Sequence, residues 1–363
     1  MQSAAIRPAK EQLWSAMVGL ALLCALMLLL PFACPALALV TPLLGCPLVG
    51  NRRQWAAWIA GALPAAVSLL SGFDPLYSLS LLLPGLLPLF LTLWLRARKK
   101  LAAPSVIPLF IVAYATALTL VVAAASHALG AGLAEGLTEQ IVARVASSDR
   151  PGLVLYRFAL AGLLSVPDSC HSGVLPLFLL DIDLVRQMLL SLRLHVQALL
   201  AQTLPPLFVQ ACVLGGLFTA LRVQHLNCAV LIVGPDPEHP GGRKARVASP
   251  PGFRLLMLPA HLRWPLCLMA VASLVLLTSD GDLAQTLGQL FFAAFTCAFQ
   301  LAGAAVLVCM LASRAPDRAP LYGVLAAVLY VLFPMVLFLL GVTDQALHFR
   351  TRLLKRTDSH KEG

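Results

Sequence analysis

Charge is what this chain has least of. Only 12% of its 363 residues are Asp, Glu, Lys or Arg, while 60% are hydrophobic. An ordinary soluble domain is about 25% charged, and few water-soluble folds could hide so much apolar surface. The mean hydropathy of +0.87 points instead to lipid as the solvent. Length then says little about domain number, because one helical bundle can absorb the whole chain.

Other absences narrow the chemistry. There is no Walker A sequence, no nucleophile elbow and no H-E-x-x-H, so no catalytic constellation is supported and the chain reads as not an enzyme. Gly130-Ala131-Gly132 lacks the strand context of a phosphate cradle. An ATP-driven step would need a separate subunit. Nine cysteines occur without a C-x-x-C and without zinc-type Cys/His spacing. Most sit in apolar runs and read as small hydrophobes. Asp168, Cys170, His171, Asp181 and Asp183 follow no coordination pattern, so neither a metal nor a cofactor is expected.

What charge there is totals +10. It sits in short clusters between apolar runs: Arg52-Arg53, residues 96–100, 243–246 and 350–356. That is the pattern of cytoplasmic loops in a polytopic membrane protein rather than of a nucleic-acid-binding face. Arg7 and Lys10 precede an apolar stretch, and Ala36-Leu37-Ala38 imitates a cleavage site. The reading adopted is an uncleaved first helix.

Apolar runs predict membrane helices over residues 13–31, 55–70, 76–95, 106–125, 199–221, 264–278, 290–311 and 321–343. A shorter segment covers 36–49. A helix rises about 1.5 Å per residue, so about 20 residues cover the hydrocarbon core. Pro31 and Pro35 should end or kink the first helix. Ser71-Gly72-Phe73-Asp74-Pro75 reads as a hairpin turn, with Asp74 in an Asx-type turn. Thr116 and Thr119 are tolerable in a span because their hydroxyls can bond back to the helix.

Residues 130–195 differ. Five arginines face six acids and no lysine appears. Leu133, Leu137, Ile141 and Val145 recur at helical spacing, which predicts amphipathic helices at the outer membrane surface. Residues 234–252 are rich in Pro and Gly and read as an irregular cytoplasmic loop. The expected organisation is N-terminal helices (1–129), the amphipathic extracytoplasmic region (130–195), C-terminal helices (196–349) and a basic tail (350–363). The fold class is all-α: a polytopic transmembrane helical bundle of 8–9 membrane segments plus amphipathic surface helices.

This count carries a conflict. With 36–49 crossing, Arg52-Arg53, 96–100 and 243–246 all fall inside, but the basic tail falls outside, against the charge rule. Placing both termini inside needs one crossing more, or one fewer, after residue 246.

The second half resembles the YybS-like family of bacterial membrane proteins. The likeness rests on Phe253-Arg254, Pro259 and Arg263-Trp264-Pro265 leading into a span. It rests also on mid-helix Gln300 and Gly303, on Phe333-Pro334 kinking the last span, and on the ending from Gly341 through Asp344 to Arg350. In the first half the likeness is one of organisation. The sequence departs from the family pattern in placing Leu301-Ala302 between Gln300 and Gly303. The resemblance implies an inner-membrane protein distantly related to substrate-binding components of energy-coupling factor transporters. Its partners would be the lipid bilayer, a small-molecule substrate and separate energising ATPase subunits.

Candidate substrate-binding residues follow from where polar groups interrupt lipid-soluble helices: Gln300, Gly303, Asp344, His348 and Arg350. Ionisable groups within a membrane are costly, roughly 2.5–3.5 kcal/mol at its centre, and tend to be kept for a role. Asp344 and His348 are four apart and share a helix face. Each residue also has a plainer reading. His348 and Arg350 suit a helix C-terminus at the headgroups, and Gln300 with Gly303 suits helix packing. Two functions stand: a transporter-like substrate-binding membrane component, or a non-transporting scaffold or assembly factor.

Overall fold

The computed structural model describes residues 3–4, 10–49, 54–98, 100–101, 105–161, 164, 171–172, 175–176, 182–227, 229–235, 243–248, 253, 256, 260–314 and 319–347. Helices dominate them. They are α1 (Lys10–Leu29), α2 (Cys34–Gly45), α3 (Gln54–Leu70), α4 (Pro75–Ser80), α5 (Leu82–Ala97), α6 (Val106–Leu129) and α7 (Leu133–Ala146). The others are α8 (Pro151–Leu160), α9 (Ile182–Asn227), α10 (Ala260–Leu277), α11 (Asp282–Arg314), α12 (Ala319–Leu332) and α13 (Pro334–Leu347). Among the described residues, four stretches are long and apolar enough to cross a membrane: Pro75–Ala97, Val106–Leu129, Val185–His225 and Asp282–Ala312. The pair α12–α13 makes a fifth if its two bent halves count as one. The remaining apolar helices are shorter, among them Trp14–Leu29, Gln54–Leu70 and Trp264–Leu277.

Two expectations are revised. The loop foreseen over 234–252 contains ordered backbone, because Ala229–Pro235 and Arg243–Ala248 pair as antiparallel strands with Leu231 opposite Val247. Turn residues at 236–242 hid the flanking pairing, which periodicity could not show over so few residues. The span foreseen at 199–221 belongs to a single 46-residue helix, α9, that runs through Pro205 and Pro206.

The chain divides into two compact units, one of residues 1–119 with 208–363 and one of 120–207. In the first, α3 and α5 touch where both carry glycine. A Cβ on Gly85 would overlap the carbonyl oxygen of Gly61. Between α3 and α4 the chain turns at Gly72, whose φ of +81° suits glycine alone among common residues. Asp74 then caps α4, its Oδ1 accepting from the Tyr77 amide at 3.0 Å. This is the Asx-type role expected of it. Thr116 and Thr119 donate to the carbonyls of Val112 and Ala115, as foreseen for lone hydroxyls in an apolar helix.

Two long-range bonds tie one end of this unit together. Arg96 donates to the Val49 carbonyl at 2.5 Å, and Gln224 donates to the Leu101 carbonyl at 3.2 Å. The segment ending at Val49, the end of α5 and the end of α9 therefore share one end of the bundle. Deeper in, the buried Tyr114 hydroxyl bonds both the Leu39 carbonyl and Thr219, each at 3.0 Å. Gly215 makes room for the ring, since a Cβ there would sit 2.7 Å from it.

The second unit has its own core of Val145, Leu155, Leu164, Met188 and Leu192. Arg193 is paired with Glu139 across it. An exposed Arg186–Asp183 pair, 3.3 Å apart, adds little in water.

Candidate functional site

The sequence places its polar interruptions near the chain's end, and the structure gathers that region around α11. The run 321–343 was expected to be one span with a kink at Phe333-Pro334. It is instead two 14-residue helices, α12 and α13, bent by 112° at that point. The cause is local. The Phe333 amide still bonds the Leu329 carbonyl at 2.8 Å, but Pro334 has no amide to continue the ladder. The Val336 amide then bonds Phe333 at 3.1 Å and opens the next helix. Each half rises only about 21 Å, short of the roughly 30 Å core.

α13 lies directly on α11. A Cβ on Gly303 would overlap the Leu337 carbonyl oxygen, and one on Gly341 would overlap that of Phe299. Only glycine permits such contact, and small residues at helix crossings in lipid serve this purpose. Beside the crossing, the rings of Phe295, Phe299 and Phe338 form a cluster of edge contacts with centroids 5.0 to 5.8 Å apart.

Of the predicted site residues, Gly303 is thus a packing contact. Gln300, one turn earlier on α11, is 7% exposed, and its Oε1 accepts no hydrogen bond. A buried amide oxygen without a donor costs free energy, so it marks a place where a donor from outside the chain would be welcome. Asp344 is also buried, on α13. The levels of the two differ: Gln300 precedes the Gly303–Gly341 contact along α11, whereas Asp344 follows it along α13. His348 and Arg350 lie outside the described residues, as do Asp168, Cys170 and Asp181. Among the described residues no three His, Cys, Asp or Glu side chains gather as a metal site would require.

The sequence did not single out the cavity beside this crossing. About 600 Å³ of space lies between α9, α11 and α12, walled by Leu214, Phe218, Leu301, Ala304, Ala327 and Tyr330 among others. The lining is almost wholly apolar. Its polar feature is the Tyr330 hydroxyl, which lies 3.5 Å from the Cys297 sulfur. Tyr330 could have drawn notice as a hydroxyl-bearing aromatic midway along an apolar run, but nothing local pairs it with Cys297, 33 residues earlier. The volume falls within the 300–1,000 Å³ usual for small-molecule sites.

No family model, no curated protein and no solved structure matches this chain.

Proposed function

We propose that the chain is a multi-pass protein of a bacterial inner membrane that serves as a transporter-like, substrate-binding component, and that its substrate is apolar. The observation that carries this reading is the 600 Å³ cavity with its apolar walls. A polar vitamin or a metal ion would find few partners there. The YybS-like resemblance and its distant link to energy-coupling factor components support the transport half of the reading. Energy would come from a separate ATPase subunit recruited through the cytoplasmic loops.

Recognition cannot come from hydrophobicity alone. A molecule moving from lipid into this cavity leaves one apolar solvent for another, so selection depends on packing and a few polar contacts. Tyr330 supplies such a contact at the wall, its hydroxyl held beside Cys297, and the unpartnered Gln300 oxygen lies on the same helix as Cys297. The second reading, a scaffold without a ligand, draws on the N-terminal helices, where Gly61 and Gly85 bring α3 and α5 into close backbone contact.

Native mass spectrometry of the protein in mild detergent separates the two. The substrate-binding reading expects a retained apolar molecule near one per chain, lost in Ala327→Phe, which fills the cavity, without a fall in thermal stability. Wild-type protein that retains nothing across several detergents favours the scaffold.

A further inference from the structure

We propose that α12 and α13 form a re-entrant hairpin, entering the membrane from the face where α11 ends and returning to that same face. Directions along α11 carry the argument. Phe295 and Phe299 both meet Phe338, with ring centroids 5.7 and 5.8 Å away, and Gly303 meets Gly341. Moving forward along α11 therefore moves forward along α13, and the two helices run the same way. An antiparallel pairing through the nearest atoms, Gly303 with Leu337 and Gly341 with Phe299, would set Phe295 level with residue 345 (341 + 4). At about 1.5 Å per residue that lies some 10 Å along the axis from Phe338, with each ring leaning toward its own helix's start and so away from the other, which the observed ring contact forbids.

α12 runs the other way. Ala319 follows Arg314, the last residue of α11, by five residues, so it starts near that end. By Tyr330 it has come alongside Cys297, 17 residues back from Arg314 (314 − 297). The 112° bend then reverses the chain into α13. Gly341 is level with Gly303, so Leu347, six residues on, is level with about residue 309 and points out through the face of Arg314.

The hairpin requires the bilayer but no ligand, and it removes the conflict with the charge rule met in the sequence. With the eight apolar runs from 13–31 through 290–311 counted as crossings, the short 36–49 among them, both termini lie inside. The basic stretches 243–246, Arg314 with Arg318, and 350–356 then share the cytoplasmic face, as the charge rule asks. Their combined positive charge faces the anionic lipid of that leaflet.

Trypsin reads this on the native chain, because Arg314 and Arg318 stand before the hairpin and Arg350, Arg352, Lys355 and Arg356 after it. Membrane vesicles of defined orientation are digested and the fragments identified by mass spectrometry. Cleavage at both places in inside-out vesicles, and at neither in right-side-out vesicles, is expected. Cleavage at one place in each orientation would overturn the hairpin. If trypsin reaches neither, epitope tags inserted after Pro316 and after Gly363 of the full chain decide it: tags accessible from the same side support it, and tags on opposite sides overturn it.

Discussion

Gly303 and Gly341 meet backbone to backbone, in a contact that leaves no room for a Cβ on either. Thirty-eight residues and a 112° bend separate them in the chain. Their contact holds α13 parallel to α11, and through α13 it fixes the return of the hairpin. The same crossing sets Gln300 and Asp344 into the interior, since a helix pressed this closely leaves lipid no access to its inner face.

Gly303→Ala or Gly341→Ala should therefore cost about 3 kcal/mol or more, the upper end of the range for overpacking a core. The reason is that backbone atoms, not a flexible side chain, stand in the way. Gly323→Ala is the control: its Cβ would meet nothing within 4 Å, and it should gain roughly 0.5–1 kcal/mol of helix propensity. Thermal unfolding in detergent reads both.

Gln300 should behave unlike a structural hydrogen-bonding residue. Gln300→Leu removes an oxygen that has no donor, so stability should hold or rise by up to about 1 kcal/mol. Gln300→Glu places a charge in a buried position and should cost about 3 kcal/mol. A large loss in the leucine variant, measured by the same unfolding assay, would show that the amide is held by a partner in the folded protein.

Tyr114→Phe removes two bonds at once, to Leu39 and to Thr219. Side-chain hydrogen bonds within membrane bundles are worth about 0.6 kcal/mol on average, so a loss of roughly 1 kcal/mol is expected. Tyr114→Ala, which also opens a cavity in front of Gly215, should lose about 3–5 kcal/mol. The difference between the two variants isolates the ring from the hydroxyl.

Arg96→Met keeps the apolar stem and removes the bond to the Val49 carbonyl. A bond from a charged donor at a half-buried site should be worth about 1 kcal/mol. Hydrogen exchange, followed by mass spectrometry, should show faster opening of residues 46–49 in this variant, with the α11–α13 crossing unchanged.

The ligand reading predicts a separation of binding from stability at Tyr330. Tyr330→Phe keeps the ring that walls the cavity and removes the hydroxyl beside Cys297. Retention of an apolar ligand should fall several-fold in native mass spectrometry while the unfolding temperature shifts by no more than a few degrees.

Much of the local structure was legible from residues alone. Low charge and long apolar runs fixed a helical protein with membrane-length helices, because backbone groups in lipid must be satisfied within each segment. The Asp74 cap, the turn at Gly72 and the back-bonded threonines are short-range chemistry, and short-range chemistry is written in adjacent residues. Pro334 likewise announced a break. Its size was not written there, since a missing amide permits a kink and a reversal equally. What turned a kink into 112° is the fit of Gly341 against Gly303. The same holds for the pairing of Tyr330 with Cys297, the cavity between α9, α11 and α12, and the different levels of Gln300 and Asp344. These depend on which faces of distant helices meet. In lipid, where every apolar face is equally soluble, hydrophobic pattern cannot choose among them. Close packing of small residues does.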